Sequence, residues 1–379
     1  MATSLACVPL LSELVDLLHG WYPPATADSW DAVGLVSGDP GQDVTRVLFA
    51  VDPTLSVARE AAEWGAQLLV VHHPLFLKGV HGVARTTPKG RTLGVLQDAG
   101  CALLTAHTNA DQAVGGVSEA LATALGLTGL EPITASSNQR LDKLTTYVPV
   151  ADADRVREAL AAAGAGVIGD YDSASFSTPG EGRFRPLAGA HPTIGEVGTL
   201  EVVDETRIEC VLARAARPRV VAALLAAHPY DEPAYDVVEL ADPGAAATGT
   251  GRIGSVAETT LEAFAEQVAG ALPVTAHGVR VAGDADRVVR RVAVCGGAGD
   301  FLLDTVRRTD ADVYVTSDLR HHPASEFLEQ EGPALVDVAH WAAEWTWLPV
   351  VARTVAQTLG DTVEARVSTI CTDPWTSRA

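Results

Sequence analysis

The sequence predicts an α/β protein. Two α/β halves, residues 1–139 and 251–379, repeat one another around one metal-binding core, and an α+β unit with a ferredoxin-like βαββαβ succession is inserted at 140–250. Three observations predict this. Short apolar runs alternate with helix-like segments in both flanking regions. Each flanking region has a strand leading into His-His-Pro, His72-His73-Pro74 and His321-His322-Pro323, and a later strand leading into a histidine with a carboxylate four residues on, His107 with Asp111 and His340 with Glu344. Between residues 140 and 250 this grammar stops, and a Gly/Pro/Ser-rich stretch appears from Ser173 to Pro192.

In chain order, a helix-like segment near 8–20 is broken by Trp21-Tyr22-Pro23-Pro24, and Trp30-Asp31-Ala32-Val33-Gly34-Leu35 enters a loop or short edge strand. Val47 to Val51 reads as a strand, and Asp52-Pro53-Thr54 starts a helix that runs to Gly65. Leu68-Leu69-Val70-Val71 is a strand that delivers His72 and His73, and Pro74 stops it. A polar loop with Lys78 and Lys89, a helix near 91–98 and the strand Cys101 to Ala106 then lead to His107. This βαβαβ order implies a mainly parallel sheet with right-handed crossovers.

The inserted region reads as a strand at Leu144–Val150, a helix at Asp152–Ala163, a loop from Ser173 to Pro192, and strands near Gly198–Val203 and Ile208–Leu212. A helix at Arg217–His228 and the strand Tyr235–Leu240 complete it, with a return hinge at Ala241–Gly251. After it come the strand Val292–Cys295, a turn at Gly296-Gly297-Ala298-Gly299, and a helix from Phe301 to Arg308. The strand Asp312–Thr316 precedes Asp318 and His321-His322-Pro323, and the strand Ala334–Val338 ends at His340.

Composition narrows the function classes. With 379 residues the chain exceeds a typical single domain, and although 47% of it is hydrophobic no apolar run approaches the ~20 residues that span a bilayer. Met1 to Pro9 lacks the basic region of a secretory signal, so a cytoplasmic protein is expected. Cys7, Cys101, Cys210, Cys295 and Cys371 are scattered and never form a CxxC pair, which argues against a disulfide framework and a thiolate zinc site. Asp and Glu total 48 against 27 Lys and Arg, a formal charge of −21, so nucleic acid is not expected as the main partner. A small phosphorylated substrate is compatible with that charge, because bound divalent cations reverse the local field.

The chemistry concentrates at strand ends, where parallel sheets hold ligands. A histidine and a carboxylate four residues apart lie on one helical face, so both reach one metal. Alone, each such pair is more often the end of a solvated helix. Four histidines and two acids at three strand-to-loop junctions, His72, His73, His107, Asp111, His340 and Glu344, favour a metal. Without cysteine among them, zinc, iron, manganese or cobalt are the fitting divalent ions. Six side chains exceed one tetrahedral ion and suit two, with Glu344 as the bridge and open positions for metal-assisted hydrolysis. His107 and His322 are candidate proton shuttles, with Asp318 and His321 lining the site. Gly296 to Gly299 reads as a glycine turn or a phosphate cradle, and His228-Pro229-Tyr230-Asp231-Glu232-Pro233 as a rigid structural turn.

Taken together, Trp30-Asp31-Ala32-Val33-Gly34-Leu35, His72-His73-Pro74, His107-Thr108-Asn109-Ala110-Asp111, Cys295-Gly296-Gly297 and His340 with Glu344 resemble the Ngg-interacting-factor-three-like family of dinuclear-metal proteins, labelled type 2 homologues of GTP cyclohydrolase I. The resemblance covers nearly the whole chain. It implies His72, His73, Asp111, His340 and Glu344 as ligands of two divalent ions per chain, with His107 beside them. It also implies a toroidal homohexamer and a PII/CutA-like character for the insertion. Ala32 departs from the Asn that family members commonly carry after the Trp-Asp pair. The expected function is a metal-dependent hydrolase acting on a small nucleotide-like or phosphorylated substrate. The alternative is a non-catalytic metal-storage, metal-delivery or regulatory scaffold.

Overall fold

Helix α1 (Leu11–Trp21) opens the chain by burying Leu11, Leu14 and Leu18, and Pro23 and Pro24 end it. The structure, a computed structural model, describes residues 8–136, 141–168, 171–241 and 247–379. Met1 to Cys7, the expected boundary at 139/140 and part of the expected hinge at 241–251 lie outside the described residues. The chain divides into two compact units, one of residues 1–136 with 246–379 and one of residues 137–245.

In the first unit, β1 (Gly34–Ser37), β2 (Arg46–Ala50), α2 (Leu55–Trp64), β3 (Leu68–Val71), α3 (Pro88–Asp98) and β4 (Ala102–Thr105) follow α1. Thr54 caps α2 by accepting a hydrogen bond from Val57 N, and Gly65 closes it at φ 74°, where the left-handed backbone suits glycine. The expected helix start therefore narrows to Thr54, and the Asp52 carboxylate is left for another partner. Every residue of β3 and β4 is buried, as a parallel strand covered on both faces requires. Two short helices, α4 (Thr108–Gln112) and α5 (Val117–Ala124), and the strands β5 (Thr128–Glu131) and β6 (Thr134–Ala135) complete this part.

The second unit runs β7 (Leu141–Pro149), α6 (Ala153–Ala162), β8 (Ser175–Phe184), β9 (Glu201–Ala213), α7 (Arg217–Ala227) and β10 (Tyr235–Glu239). Its sheet is antiparallel in the order β10-β7-β9-β8, over a core that includes Leu144, Val156, Ile208 and Leu224. Two expectations are corrected here. Much of the stretch read as a loop from Ser173 to Pro192 is the edge strand β8, paired from Ser175↔Cys210 to Phe184↔Glu201, and the two expected strands near 198–203 and 208–212 are one strand, β9. The edge explains the disguise: Pro179, Gly180 and Gly182 are tolerated where one side of the ladder has no partner. Gly182 also leaves room for the Glu205 carboxylate, since a Cβ there would lie 2.2 Å from Glu205 Oε2 and that side chain would have to shift.

The chain then returns to the first unit through β11 (Gly249–Thr250), β12 (Arg252–Thr260), α8 (Leu261–Ala271), β13 (Val279–Ala282), β14 (Val288–Ala298) and α9 (Leu303–Val306). It finishes with β15 (Val313–Ser317), α10 (His321–Glu329), β16 (Ala334–Val338), α11 (His340–Trp345), α12 (Leu348–Leu359) and β17 (Glu364–Val367). One sheet has the order β1-β4-β3-β2-β17 and the other β13-β16-β15-β14-β12-β5. Neighbouring strands are parallel through β4-β3-β2-β17 in the first and β16-β15-β14 in the second, and an antiparallel strand borders each set, β1 beside β4 and β13 beside β16. One continuous apolar core joins them, from Leu11 and Val70 through Val117 to Val315 and Trp347. Arg252 is buried against this junction, with its guanidinium donating to the carbonyls of Gly249, Gly251, Gln112 and Ala113 and facing Glu119. No helix among the described residues is long and apolar enough to cross a membrane.

Candidate metal centre

The carboxyl ends of both sets of parallel strands carry the chemistry, which is where such sheets leave room for ligands. Asp52 follows β2, His72 and His73 follow β3, and His107 follows β4. In the other sheet Gly297 lies near the end of β14, Asp318 follows β15, and His340 opens α11 just past β16. Helices α4 and α11 then return Asp111 and Glu344 one turn later, so the two sheets meet through these side chains.

All four imidazoles are anchored in the same way. His72 Nδ1 donates to Ala106 O at 2.9 Å, His73 Nδ1 to Asp52 Oδ1 at 2.7 Å, His107 Nδ1 to Asp31 Oδ1 at 2.9 Å, and His340 Nδ1 to Asp318 Oδ2 at 2.7 Å. With Nδ1 committed, each ring presents Nε2, and the tautomer that leaves Nε2 unprotonated is the one that ligates a metal. The Nε2 atoms do converge: His340 Nε2 is 2.8 Å from Glu344 Oε1 and 3.3 Å from His73 Nε2, His73 Nε2 is 3.1 Å from Glu344 Oε2, and His72 Nε2 is 3.4 Å from Glu344 Oε1 and 3.6 Å from Asp111 Oδ1. Two groups of three donors, His72, His73 and His107, and His73, His340 and Glu344, have their ligand atoms within 4.8 Å of one another.

Three of these atoms, His72 Nε2, Asp111 Oδ1 and Glu344 Oε2, are buried and make no hydrogen bond. Buried polar atoms are nearly always satisfied, so three orphans facing one space fit a cation that would satisfy them together. The donor set, imidazole nitrogen and carboxylate oxygen without thiolate, fits a divalent transition ion.

Electrostatics agree with that fit. Burial opposes charge on His73 and His340, but Glu344 with Asp52, and Glu344 with Asp318, outweigh it and hold these imidazoles up at about 10 and about 11. His72 is likewise raised, against burial, by Glu344 and Asp111. Burial would raise the Glu344 carboxyl, yet the three histidines around it take it well below its ordinary range. Asp111 goes the other way, pushed up to about 7 chiefly by burial. The buried carboxylates thus favour positive charge among the imidazoles around them, which is the charge a divalent cation would supply. His107 differs: burial and the charge of His72 lower it to about 4 despite Asp31, so its ring is neutral.

The cluster contains His72, His73, His107, Asp111, His340 and Glu344. It does not reach His322, which is exposed on α10 with its ring packed 5.1 Å from that of His321 and with no contact to the cluster among the described residues. The cause is the four-residue offset between β15 and α10: the strand end that matches His72 carries Asp318 instead. Asp318 adopts φ 58°, a left-handed conformation that aspartate tolerates better than bulkier residues.

The anchors Asp31, Asp52 and Asp318 were not assigned from sequence as histidine partners. The usable signal was a carboxylate just past an apolar strand, as at Asp52 and Asp318. Gly297 adopts the positive φ of the glycine turn that the sequence predicts, and it also faces the cluster. At φ 72°, a Cβ there would lie 2.6 Å from Glu344 Oε1 and 3.3 Å from His340 Nε2, so its glycine identity makes room for the donors. Behind the cluster, the Asn109 side chain accepts from His107 N and donates to Tyr22 O, while Asp31 also accepts from Thr108 N and the Thr108 hydroxyl.

The family described as Duf34/NIF3 (NGG1p interacting factor 3) matches residues 9–374. A Mycobacterium tuberculosis protein named GTP cyclohydrolase 1 type 2 homolog is 50% identical over 369 residues, which cover 96% of each chain. Of solved structures, a Bacillus cereus protein related to NIF3 is 36% identical with a TM-score of 0.67, covering 97% of this chain and 99% of its own. A Staphylococcus aureus protein is 28% identical with a TM-score of 0.75, covering 98% and 99%.

Proposed function

The chain belongs to the Duf34/NIF3 family, and from that premise we propose that it is a metal-dependent hydrolase acting on a small nucleotide-like or phosphorylated substrate. The substrate class is taken from the name its mycobacterial relative carries. The observation that supports the reading best is the set of orphaned, buried donors His72 Nε2, Asp111 Oδ1 and Glu344 Oε2 among imidazoles anchored through Nδ1. His72, His73, Asp111, His340 and Glu344 would hold two divalent ions, with Glu344 shared between them. When bound, the ions supply Lewis-acid polarisation of a substrate oxygen and stabilise developing negative charge.

The protein's own groups supply the rest. Asp52, Asp31, Asp318 and the Ala106 carbonyl fix the orientation of the rings. His107, held by Asp31 through Nδ1 and lying beside the other donors, is the residue proposed to relay a proton. His322 has no part in this proposal. The matching order of β1 to β4 and β13 to β16 supports an internal duplication, and the β7–β10 unit is read as a PII/CutA-like insertion. A cytoplasmic homohexamer completes the proposal.

Elemental analysis of the purified protein, run with a hydrolysis screen of nucleotides and phosphoesters, tests the reading. The expected result is two ions per chain and turnover that is lost on chelation and restored by the recovered metal. Bound metal without turnover on any substrate would favour a storage, delivery or regulatory scaffold, and protein purified without metal would overturn both.

A further inference from the structure

The second unit holds a cavity of about 1040 Å³ lined by none of the metal-centre donors. Its walls are the β8–β9 hairpin, the loop through His191 and Thr193, and the turn Tyr230 to Ala234. The size is at the upper end for small-molecule sites. Glu205 lines it while only 8% exposed, and its one side-chain hydrogen bond among the described residues comes from the Tyr230 hydroxyl at 3.0 Å. A carboxylate this buried, held by one neutral phenol, lacks a counter-charge.

Among the described residues no arginine is ion-paired with Glu205. Of the cavity's arginines, Arg183 is paired with Glu181 at 2.6 Å and Arg207 with Glu209 at 2.7 Å. Arg185 is left without an ion pair among the described residues, set against Glu205, Asp231 and Glu232, which also have none. Tyr230 and Phe184 lie edge to face with centroids 5.5 Å apart, which puts aromatic surface next to the buried carboxylate. Their placement is built in. The His228 Nδ1 accepts from Tyr230 N at 3.1 Å and its Nε2 donates to Tyr147 O at 2.9 Å, and Gly182 leaves the space that Glu205 occupies. The turn that reads as purely structural in the sequence therefore aims a phenol at an acid. Burial and Glu205 both raise the Tyr230 hydroxyl above its ordinary range, so it remains a donor.

We propose that this cavity binds a small organic cation through a primary ammonium or guanidinium group, with Glu205 as its counter-ion and the Tyr230 and Phe184 rings beside it. Asp231 and Glu232 add attraction at the rim, and Arg185 opposes it. The proposal does not depend on the metal reading.

Calorimetric titration of the full-length protein with agmatine, which carries both cationic groups, is the test, with inorganic phosphate and adenosine monophosphate as anionic probes. Agmatine should saturate one site per chain, and Glu205→Gln should weaken it about tenfold or more, the effect of losing a charge-assisted hydrogen bond. Arg185→Glu, on an exposed wall residue, should tighten it. Circular dichroism and metal content check that each variant is folded. The proposal is overturned if agmatine gives no saturable heat with folded protein, or if Glu205→Gln binds it unchanged. It is equally overturned if Arg185→Glu fails to tighten binding, an outcome that decides the matter should Glu205→Gln not fold, or if the anionic probes bind in place of agmatine.

Discussion

His340 is the residue on which the most depends, because it touches Glu344 and His73 through Nε2 and Asp318 through Nδ1. Asp318 is an exposed residue, so replacing it by Asn removes little packing and isolates its effect on the ring. Asp318→Asn should lower metal affinity about 10- to 100-fold while leaving the fold intact, measured by competition with a chromogenic chelator and by circular dichroism. Unchanged affinity would show that His340 is oriented by packing alone. Gly297→Ala should do more harm, because it combines a positive φ with a Cβ placed 2.6 Å from a buried carboxylate oxygen. A loss of about 1–3 kcal/mol in denaturant unfolding, accompanied by reduced metal content, is expected. Wild-type stability in that variant would mean the strand end can shift without cost.

At the scale of elements, the β7–β10 unit is pinned by a charged clasp. Asp142 on β7 has a fully buried side chain that receives Arg217 Nε at 2.6 Å and Arg214 Nε at 3.0 Å, and both arginines also reach Glu239 on β10. Hydrogen bonds from Arg217, set against burial and joined by those from Arg214, lower the Asp142 carboxyl below its ordinary value. The sign follows: a depressed carboxyl contributes stability that is fully present above the unfolded value of ~3.9 and is lost as pH falls through the lower folded value. Far-UV circular dichroism melts should therefore show this unit losing stability as pH drops below about 4, with the dependence flattened in Asp142→Asn. An equally steep acid dependence in that variant would exclude the clasp as its source. The same unit shows why β8 is hidden in the sequence. An edge strand with Pro179, Gly180 and Gly182 has the composition of a loop, and only the ladder with β9 makes it a strand.

At the scale of the whole molecule, all seven tryptophans lie outside residues 137–245, so intrinsic tryptophan fluorescence follows the metal-centre unit alone. That separates the units in one sample. Excising residues 137–245 with a short linker should leave a soluble protein with the parent's tryptophan emission and metal content, because all of the donors and the apolar core that holds them belong to the other unit. A product that aggregates, or folds without binding metal, would show that the second unit supports the first.

What the sequence determined by itself is local. Apolar runs of strand length ending in His72, His73, His107 and His340 mark the carboxyl ends of strands, and the four-residue spacing to Asp111 and Glu344 is the pitch of one helical turn. Those relations lie within a few residues and are written in the order of the chain. What tertiary structure decided is every relation that crosses between strands: Asp52 to His73, Asp31 to His107, Asp318 to His340, and Gly297 to Glu344. It also decided that His322, so similar in sequence context to His73, stays apart, because four residues of offset at the end of β15 carry it onto an exposed helix. No periodicity records such pairs. They arise because two sheets bring their carboxyl ends together, and side chains distant in sequence then share one buried space in which their charges must be balanced.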